Sequence, residues 1–349
     1  MHVTYKNILI VRTDRIGDVV LTTPAIRALR QSYPESRISI LVTPITEDIV
    51  KGNECIDEVI VDDRQKEHKG LRGYINLVQT LRRKKFDLAI IYHTKKRTNL
   101  TCFLAGIPVR MGYKNNKFGF LLNWPVSDVR HKGERHEAQY CLDVLKALGV
   151  QSDDLKLDLP VDEQSFRWVE QSWKKHGITD KDRLVAIHPG ASDPAKRWPD
   201  NRFAQLMDIL IEQYSAKIFI IGNSDTGDTS KSIISLLKGN AIDLTGNTTI
   251  GQLAGLLARC DLLVSNDSGP VHIAAGVGTP VVSIFTRNQP GINPQRWRPL
   301  GEKSRVVSVK PFQSDGVSFR KAQAMDVKYL ELIETAEVLE AVDSIFKLC

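Results

Sequence analysis

The stretch ILIVRTDRIGDVVLTTPAIRAL, residues 8–29, reads as a strand, a loop and a helix in succession, as at the start of a parallel α/β domain. The loop of a dinucleotide-binding domain needs several glycines at this place, and only Gly17 is present. The next residue is Asp18, whose carboxylate would repel a phosphate at the start of a helix. We therefore expect an α/β fold whose first loop does not bind phosphate.

Short apolar runs alternate with helical patterns through both halves of the chain, which predicts two doubly wound α/β domains with parallel sheets. We expect a first domain over residues 1–160 and a second over 161–326, joined by a polar linker at 151–165. The first helix is expected over 18–32, and residues 327–349 predict a helix that packs back on the first domain. The predicted strands lie within residues 6–12, 37–43, 56–63, 86–93, 109–113, 183–190, 216–223, 241–246, 261–269 and 279–285.

The composition is that of a folded protein, since 42% of the 349 residues are hydrophobic and 26% are charged. No window offers about 18 consecutive apolar residues, so the sequence predicts no membrane-spanning helix. The N-terminal residues lack the pattern of a signal peptide. The five cysteines are scattered without a CxxC pair, which predicts neither a zinc site nor a disulfide framework and fits a reducing, cytoplasmic compartment.

Positive charge is concentrated in the first half of the chain. The net charge is +7; residues 1–160 hold 26 Lys and Arg against 19 Asp and Glu, while residues 161–349 hold 22 of each. This asymmetry favours a first domain that meets an anionic surface or substrate, although each basic cluster alone is also typical of solvated loops. Nucleic acid is not favoured, because no helix-turn-helix, RNA-recognition or zinc-finger signature is present.

A candidate anion site lies in SNDSGPVHIAAG, residues 265–276. A strand ends here, Asp267 or Ser268 can cap the following helix, and Pro270 suits its first turn, where no amide is needed. The helix dipole favours an anion, and His272 could reach a phosphate or ribose oxygen. The same residues would also make an ordinary capped helix. The amides expected to face the anion are those of Ser268, Gly269 and Val271.

Two further loops of the second domain, each directly after a predicted strand, can converge on that site. HPGASDPAKRWP, residues 188–199, combines small residues such as Ser192 with the cation Lys196, which suits a diphosphate. A plain surface loop is the alternative, but Trp198 is a large apolar side chain that would anchor the loop. DLTGNTTI, residues 243–250, is positioned to give backbone contacts to a base.

The segments GDVVLTTPAIRAL, HPGAS and KRWP, and LTG with NDSGPVHIAAGVGTPVV resemble glycosyltransferase family 9, whose members include ADP-heptose lipopolysaccharide heptosyltransferases. The resemblance spans about residues 7 to 290 with the motifs in the family's order. It implies a GT-B fold, in which two Rossmann-like domains face a cleft, the first binding the acceptor and the second the nucleotide-sugar. It also implies an inverting, metal-independent transfer with no cofactor besides the nucleotide-sugar, expected to be ADP-heptose.

The resemblance also implies roles for individual residues. Asp18 matches the acid that acts as general base, although a helix N-cap also suits its position. Arg15 beside it would contact an acidic acceptor or pair with Asp14. His136 matches a histidine that faces the cleft, and its other interpretation is a histidine at a helix start. The expected donor-binding residues are Ser192, Lys196, Thr245, Asp267, Ser268, Gly269 and His272, and the expected acceptor-binding residues are Arg15, Lys95, Arg97 and His136.

The leading hypothesis is transfer of a heptose from ADP-heptose to a lipopolysaccharide inner core, at the cytoplasmic face of the inner membrane. Peripheral contact with that membrane fits the basic first domain, and no nucleic-acid partner is expected. Other hypotheses keep the fold and change the donor sugar, or change the acceptor to a protein or another glycan. A nucleotide-sugar epimerase of the same architecture is a further enzyme alternative, and a non-catalytic nucleotide-sugar-binding protein is the alternative from another class.

Overall fold

A computed structural model of the chain describes residues 4–310 and 332–347. The chain divides into two compact units. Unit 1 comprises Met1–His131 and Glu137–Pro160, and unit 2 comprises Lys132–His136 and Val161–Cys349. The boundary between Pro160 and Val161 falls within the polar segment that follows the first α/β pattern, and the short piece Lys132–His136 leaves unit 1 to join unit 2.

The sheet of unit 1 is built from β1 (Asn7–Val11), β2 (Arg37–Val42), β3 (Glu58–Val61), β4 (Leu88–Ile91), β5 (Val109–Tyr113) and β6 (Trp124–Val126). The described strands are all parallel, in the order β3-β2-β1-β4-β5-β6. Ile8 of β1 lies opposite Ile38 on one side and Leu88 on the other. Because the central strands are buried on both faces, they are continuous apolar runs, as the sequence predicted.

The sheet of unit 2 repeats this plan with β7 (Leu184–His188), β8 (Lys217–Ile220), β9 (Ala241–Asp243), β10 (Leu262–Asn266), β11 (Val281–Phe285) and β12 (Ser304–Ser308). Its order is β12-β11-β10-β7-β8-β9, again parallel in the described residues. The winding direction reverses between β1 and β4 in unit 1 and between β7 and β10 in unit 2. Sheets of this kind bind ligands beyond the carboxyl ends of the strands at such a switch point.

The helices in the described ranges are α1 (Ile16–Val20), α2 (Thr23–Ser32), α3 (Glu47–Val50), α4 (Gly70–Lys84), α5 (Lys96–Leu104), α6 (Glu137–Lys146), α7 (Glu163–His176), α8 (Asp200–Tyr214), α9 (Gly227–Leu236), α10 (Ile250–Leu257), α11 (Gly269–Gly276), α12 (Pro294–Trp297) and α13 (Thr335–Phe346). Thr249 caps α10, as the sequence predicted, by accepting a hydrogen bond from the Gln252 amide at 3.1 Å. Within these ranges, no helix is long and apolar enough to cross a membrane.

The predicted helix over 18–32 is interrupted, so the expectation of one unbroken helix was wrong. α1 ends at Val20 and α2 begins at Thr23. Pro24 has no amide hydrogen to donate to the carbonyl four residues earlier, which belongs to Val20. The Thr23 hydroxyl donates to that carbonyl instead, at 2.8 Å. The break keeps α1 as a separate short helix directly after the β1 loop.

Two strands, β6 and β12, were not predicted from the sequence, and both lie at sheet edges. β6 has three residues, including Pro125, and β12 has the polar sequence SRVVS. An edge strand needs neither two apolar faces nor a full ladder of amide donors, so its sequence gives a weak signal.

The C-terminal helix α13 packs in unit 2, which corrects the expectation that it returns to the first domain. It contacts α8, β11 and β12. Its Val338, Val342 and Ile345 are completely buried in the core of unit 2. The rest of the predicted tail, at 327–331 and 348–349, lies outside the described residues.

Candidate functional site

A fully buried arginine, Arg12, directly follows β1 and contacts three carboxylates. Its Nε lies 3.1 Å from Asp14 Oδ1, and its Nη2 lies 2.7 Å from Asp18 Oδ1 and 3.1 Å from Glu137 Oε1. Nε also donates to the backbone carbonyl of Asp18 at 3.2 Å. Because a buried guanidinium needs charged partners, these contacts fix the first turn of α1 at the carboxyl end of the sheet.

Glu137, the first residue of α6, is also completely buried. Its Oε1 lies 3.6 Å from Nη1 of Arg130. Arg130 is held by Asp128, at 2.8 Å, and by the Tyr113 ring, whose centroid lies 3.7 Å from the guanidinium carbon. Arg12 and Glu137 were not among the predicted site residues, although the charge of Arg12 at the end of a buried strand was a usable signal.

Asp18 has the electrostatic character of a proton acceptor near neutral pH. Burial raises the pKa of Asp18 to about 7; Arg12 opposes this rise, and the negative charges of Asp14 and Glu137 add to it. The Asp18 side chain is 15% exposed, so the carboxylate remains accessible. The N-cap of α1 is Arg15, and Asp18 is the third residue of the helix, so it is not a helix N-cap.

The loops after β1 and β4 meet at the switch point of unit 1. Thr13 Oγ1 and His93 Nδ1 are 3.0 Å apart. Burial lowers the pKa of His93 to about 3, and the charge of Arg12 contributes, so this imidazole is neutral. Arg15 is exposed beside these loops, and the carboxylate of Asp14 pairs with Arg12.

Two of the predicted acceptor-binding cations occupy the start of α5. Arg97 donates from Nε and Nη2 to the two oxygens of Asp62, at 3.0 and 2.8 Å, so its guanidinium is oriented by a buried carboxylate. Lys95 lies beside Lys117, and the contact between these two amines lowers the pKa of Lys95. The two lysines form a concentrated positive charge next to the β4 loop.

His136 belongs to unit 2, which corrects its expected place with the acceptor-binding residues of the first domain. Its Nε2 lies 2.9 Å from the backbone carbonyl of Arg298. It precedes α6, as expected for a helix-start histidine, but it lies close enough to His272 to disfavour protonation of that residue. The sequence could not show that Lys132–His136 crosses to the other unit.

At the switch point of unit 2, a buried asparagine joins the loops after β7 and β10. Asn266 Nδ2 donates to the Pro189 carbonyl at 2.7 Å, and its Oδ1 accepts from the Trp198 amide at 3.0 Å. Trp198 is buried, as predicted, and its Nε1 donates to the Ile333 carbonyl at 2.8 Å. The loop over 188–199 is therefore anchored at both ends.

Lys196 and Asp267 form an ion pair across this switch point. Asp267 thus holds the lysine and does not cap α11; Ser268 occupies the N-cap position without a side-chain capping bond. The amide of Val271 donates to the Ser268 carbonyl at 3.2 Å, which corrects the expectation that it faces an anion. The amide of Gly269, at the first position of α11, has no acceptor within the helix.

His272 lies buried on the first turn of α11. Burial lowers the pKa of His272 to about 3, and the charges of His136 and Lys196 contribute, so the ring is neutral. In the part of the chain that the structure describes, its buried Nδ1 has no hydrogen-bond partner. A neutral imidazole with an unused nitrogen beside a lysine can bind an oxygen of a ligand.

Close backbone packing shapes the neighbouring loops. A Cβ at Gly190 would lie 2.6 Å from Thr226 Oγ1, and one at Gly222 would lie 2.8 Å from the same atom. The buried hydroxyl of Thr245, after β9, has no partner among the described residues, and Ser192 is exposed. No group of three His, Cys, Asp or Glu side chains suited to a metal occurs in residues 4–310 and 332–347.

Two Rossmann-like units in tandem, each with polar groups at its switch point, are the arrangement of GT-B glycosyltransferases. The model of glycosyltransferase family 9 (heptosyltransferase) matches residues 74–326. The chain therefore belongs to glycosyltransferase family 9.

Individual relatives agree with this assignment. The chain is 26% identical over 318 residues to lipopolysaccharide heptosyltransferase 2 of Escherichia coli (strain K12), covering 86% of this chain and 87% of the relative. A solved family 9 glycosyltransferase from Veillonella parvula DSM 2008 superposes with a TM-score of 0.89 at 27% identity, covering 100% and 99% of the two chains. The structure of E. coli ADP-heptose lps heptosyltransferase II superposes with a TM-score of 0.78 at 22% identity, covering 98% and 99%, which supports the fold.

Proposed function

We propose that this glycosyltransferase transfers a heptose from ADP-heptose to an inner-core sugar of lipopolysaccharide, with inversion and without a metal ion. The observation that carries the proposal is the environment of Asp18. A partly accessible carboxylate with a pKa near 7 lies at the switch point of unit 1, where a Rossmann-like domain binds its ligand. The choice of heptose and lipopolysaccharide follows the names of the relatives.

In the proposed reaction, Asp18 is the general base. The acceptor hydroxyl oxygen attacks the anomeric carbon of the donor from the face opposite the diphosphate, which inverts that centre. As the new C–O bond forms, the bond to the diphosphate oxygen breaks and Asp18 takes the hydroxyl proton. Arg12 keeps the carboxylate in position, and burial, with smaller contributions from Asp14 and Glu137, keeps its pKa high enough for proton transfer.

The proposed donor site is the switch point of unit 2. Negative charge develops on the leaving diphosphate, and a cation with backbone amides at a helix N-terminus stabilises it. Lys196 and the Gly269 amide supply these groups, and the neutral ring of His272 adds a polar contact. His136, whose proposed role is contact with the acceptor, also lies in unit 2. The remaining proposed donor contacts are Ser192, Thr245, Asp267 and Ser268.

The proposed acceptor site uses the cations of unit 1. Arg15 lies in the loop after β1, and Lys95 and Arg97 lie at the start of α5 after β4, where they would meet the phosphates and acidic sugars of an inner core. Such an acceptor is carried by a membrane, so we place the enzyme at the cytoplasmic membrane face, in peripheral contact. No nucleic-acid partner is part of the proposal.

The test separates donor binding from chemistry. Wild type and Asp18→Asn are titrated calorimetrically with ADP, UDP and GDP, and both are then assayed with ADP-heptose and truncated lipopolysaccharide. We expect ADP to bind both proteins equally and kcat of the variant to fall about 10²- to 10⁴-fold. Binding of UDP or GDP in place of ADP would contradict the heptose donor, and full activity of Asp18→Asn would contradict the base.

A further inference from the structure

Unit 1 exposes large apolar side chains on three neighbouring segments. Leu71 in α4 is 74% exposed, Phe103 in α5 is 47% exposed, and Phe120 in the turn at Gly119–Leu121 is 81% exposed. α5 packs against both α4 and this turn, so the three segments form one surface. We name it the α4–α5 surface, and its exposed apolar residues are Leu71, Ile75, Phe103, Leu104 and Phe120.

The amphipathic pattern of α4 explains part of this exposure. Leu77 and Leu81 fill the core of unit 1. Leu71 and Ile75 continue the helical apolar spacing but lie outside that core. Isolated exposed apolar residues are ordinary, whereas a group on adjoining segments marks an interaction surface.

Cations are interleaved with the aromatic rings of the α4–α5 surface. The ammonium of Lys96 lies 5.7 Å from the centroid of the Phe118 ring, which in turn lies 5.7 Å from that of Phe120. The Arg110 guanidinium lies 5.4 Å from the centroid of the Phe103 ring. These contacts place positive charge directly beside the exposed apolar groups.

The surrounding chain is almost free of acids. Residues 68–127, which include α4, α5 and the turn, contain 12 Lys and Arg and a single acid, Asp87. The carboxylate of Asp87 accepts hydrogen bonds from the Lys6 and Asn7 amides, at 2.7 and 2.9 Å. It therefore stabilises the backbone at the start of β1. Two of the cations pair with acids outside this range, Lys84 with Glu58 and Arg97 with Asp62, and the others give this part of unit 1 a charge that complements a dense anionic surface.

We infer that the α4–α5 surface docks unit 1 on an anionic lipid bilayer. Its phenyl and aliphatic groups would enter the headgroup boundary, and its cations would meet lipid phosphates. A nucleic acid would use the cations but would leave Leu71, Ile75 and Leu104 without an apolar partner. The inference deepens and rests on the proposed function, because a membrane-borne acceptor requires the enzyme to work at a bilayer.

The test is sedimentation of the full chain with vesicles, without donor or acceptor sugar. Vesicles of equal parts phosphatidylglycerol and phosphatidylethanolamine are compared with vesicles of phosphatidylcholine alone. We expect wild type to bind only the anionic vesicles. Phe120→Ser and Leu71→Ser, made separately, are each expected to weaken binding about five- to tenfold through lost apolar burial. The double variant Lys96→Gln with Arg72→Gln removes one exposed cation from α5 and one from α4, and it is expected to weaken binding by more than either apolar variant. Wild-type binding is expected to be lost at high salt.

Matched controls lie on α9 of unit 2, where Leu236→Ser removes a 51% exposed apolar side chain and Lys231→Gln an exposed cation. Both controls are expected to bind vesicles as wild type does. Failure of wild type to bind, equal loss in the controls, or unchanged binding of both Phe120→Ser and Leu71→Ser would overturn the inference. Binding of a mixed-sequence RNA with no vesicle binding would also overturn it. ADP titration reports separately on the proposed function, since it does not involve this surface.

Discussion

Nη2 of Arg12 lies 2.7 Å from a carboxylate oxygen of Asp18, and the same nitrogen lies 3.1 Å from the carboxylate of Glu137. One guanidinium nitrogen therefore contacts two carboxylates, while Nε contacts that of Asp14. Arg12, with Arg130 a further 3.6 Å from Glu137, does not offset three carboxylates in a buried place, so protonation of one acid is favoured. Within this cluster, burial together with the negative charges of Asp14 and Glu137 raises the pKa of Asp18 to about 7.

The pH dependence of turnover should report this cluster. Because Asp18 acts only when ionised, kcat/KM is expected to rise with pH and level off above about pH 7. Glu137→Gln removes a like charge near Asp18, so the inflection should move to lower pH. Glu163→Gln, at the exposed start of α7, is the control and should leave it in place. An inflection that stays fixed in Glu137→Gln would show that Glu137 does not set the pKa of Asp18.

The free energy of unfolding should fall as pH rises through the titration of Asp18, whereas an ordinary salt-bridged acid makes it rise. The folded-state pKa of Asp18 is raised above its usual 3.8, so the folded state binds more protons and loses stability as pH rises from about 4 to about 7. Asp18→Asn replaces the titrating carboxyl by an amide, so the variant does not lose this stability as pH rises. The variant is therefore expected to melt at a higher temperature than wild type near pH 8, with the difference shrinking as pH falls and vanishing below about pH 4. A constant difference across this range would contradict the raised pKa.

Sequence reasoning located much of the fold because central parallel strands are continuous apolar runs. It missed β6 and β12, which are short edge strands. It proposed Asp18 through the resemblance of local motifs and Lys196 through the small residues and the cation of its loop, and both roles stay predictions. It missed Glu137, because the contact with Arg12 joins residues 125 positions apart and no local pattern encodes it. For the same reason, sequence alone could not assign His136 to unit 2.

Lys196 should matter more for donor affinity than for folding. Its ammonium pairs with the largely buried Asp267 at the switch point, and a diphosphate bound there would give the lysine a second, stronger anionic partner. Lys196→Gln is expected to weaken ADP binding about ten- to hundredfold in calorimetric titration, with a smaller dependence of affinity on salt. Lys231→Gln, an exposed lysine on α9, is the control for lost charge and should bind ADP normally. Equal ADP affinity of Lys196→Gln and wild type would contradict the proposal that Lys196 binds phosphate.

Asn266 should couple the stability of unit 2 to nucleotide binding. Asn266→Ala leaves the Pro189 carbonyl and the Trp198 amide without their buried partner, which is expected to cost about 1–3 kcal/mol of unfolding free energy for each group left unpaired. The loop that carries Lys196 would lose an anchor, so ADP affinity should fall as well. Asn247→Ala, which removes an exposed side chain bonded to the Thr245 carbonyl, is the control in urea unfolding. Unchanged unfolding of Asn266→Ala would contradict the bridging role.

Gly190 and Thr226 should behave as a coupled pair. A Cβ at Gly190 would lie 2.6 Å from Thr226 Oγ1, so Gly190→Ala is expected to cost about 1–3 kcal/mol through overpacking. Thr226→Ala removes the atom that Cβ would meet, so the double variant should recover part of that loss in urea unfolding.

Gly227→Ala is the matched control, since a Cβ there meets nothing within 4 Å and the residue begins α9 with φ −58°. Alanine at that position should leave stability unchanged or raise it, because it restricts the unfolded chain. If the costs of Gly190→Ala and Thr226→Ala simply add, the two loops do not pack through this contact. Recovery in the double variant would instead show that the close approach of the β7 and β8 loops requires glycine at position 190.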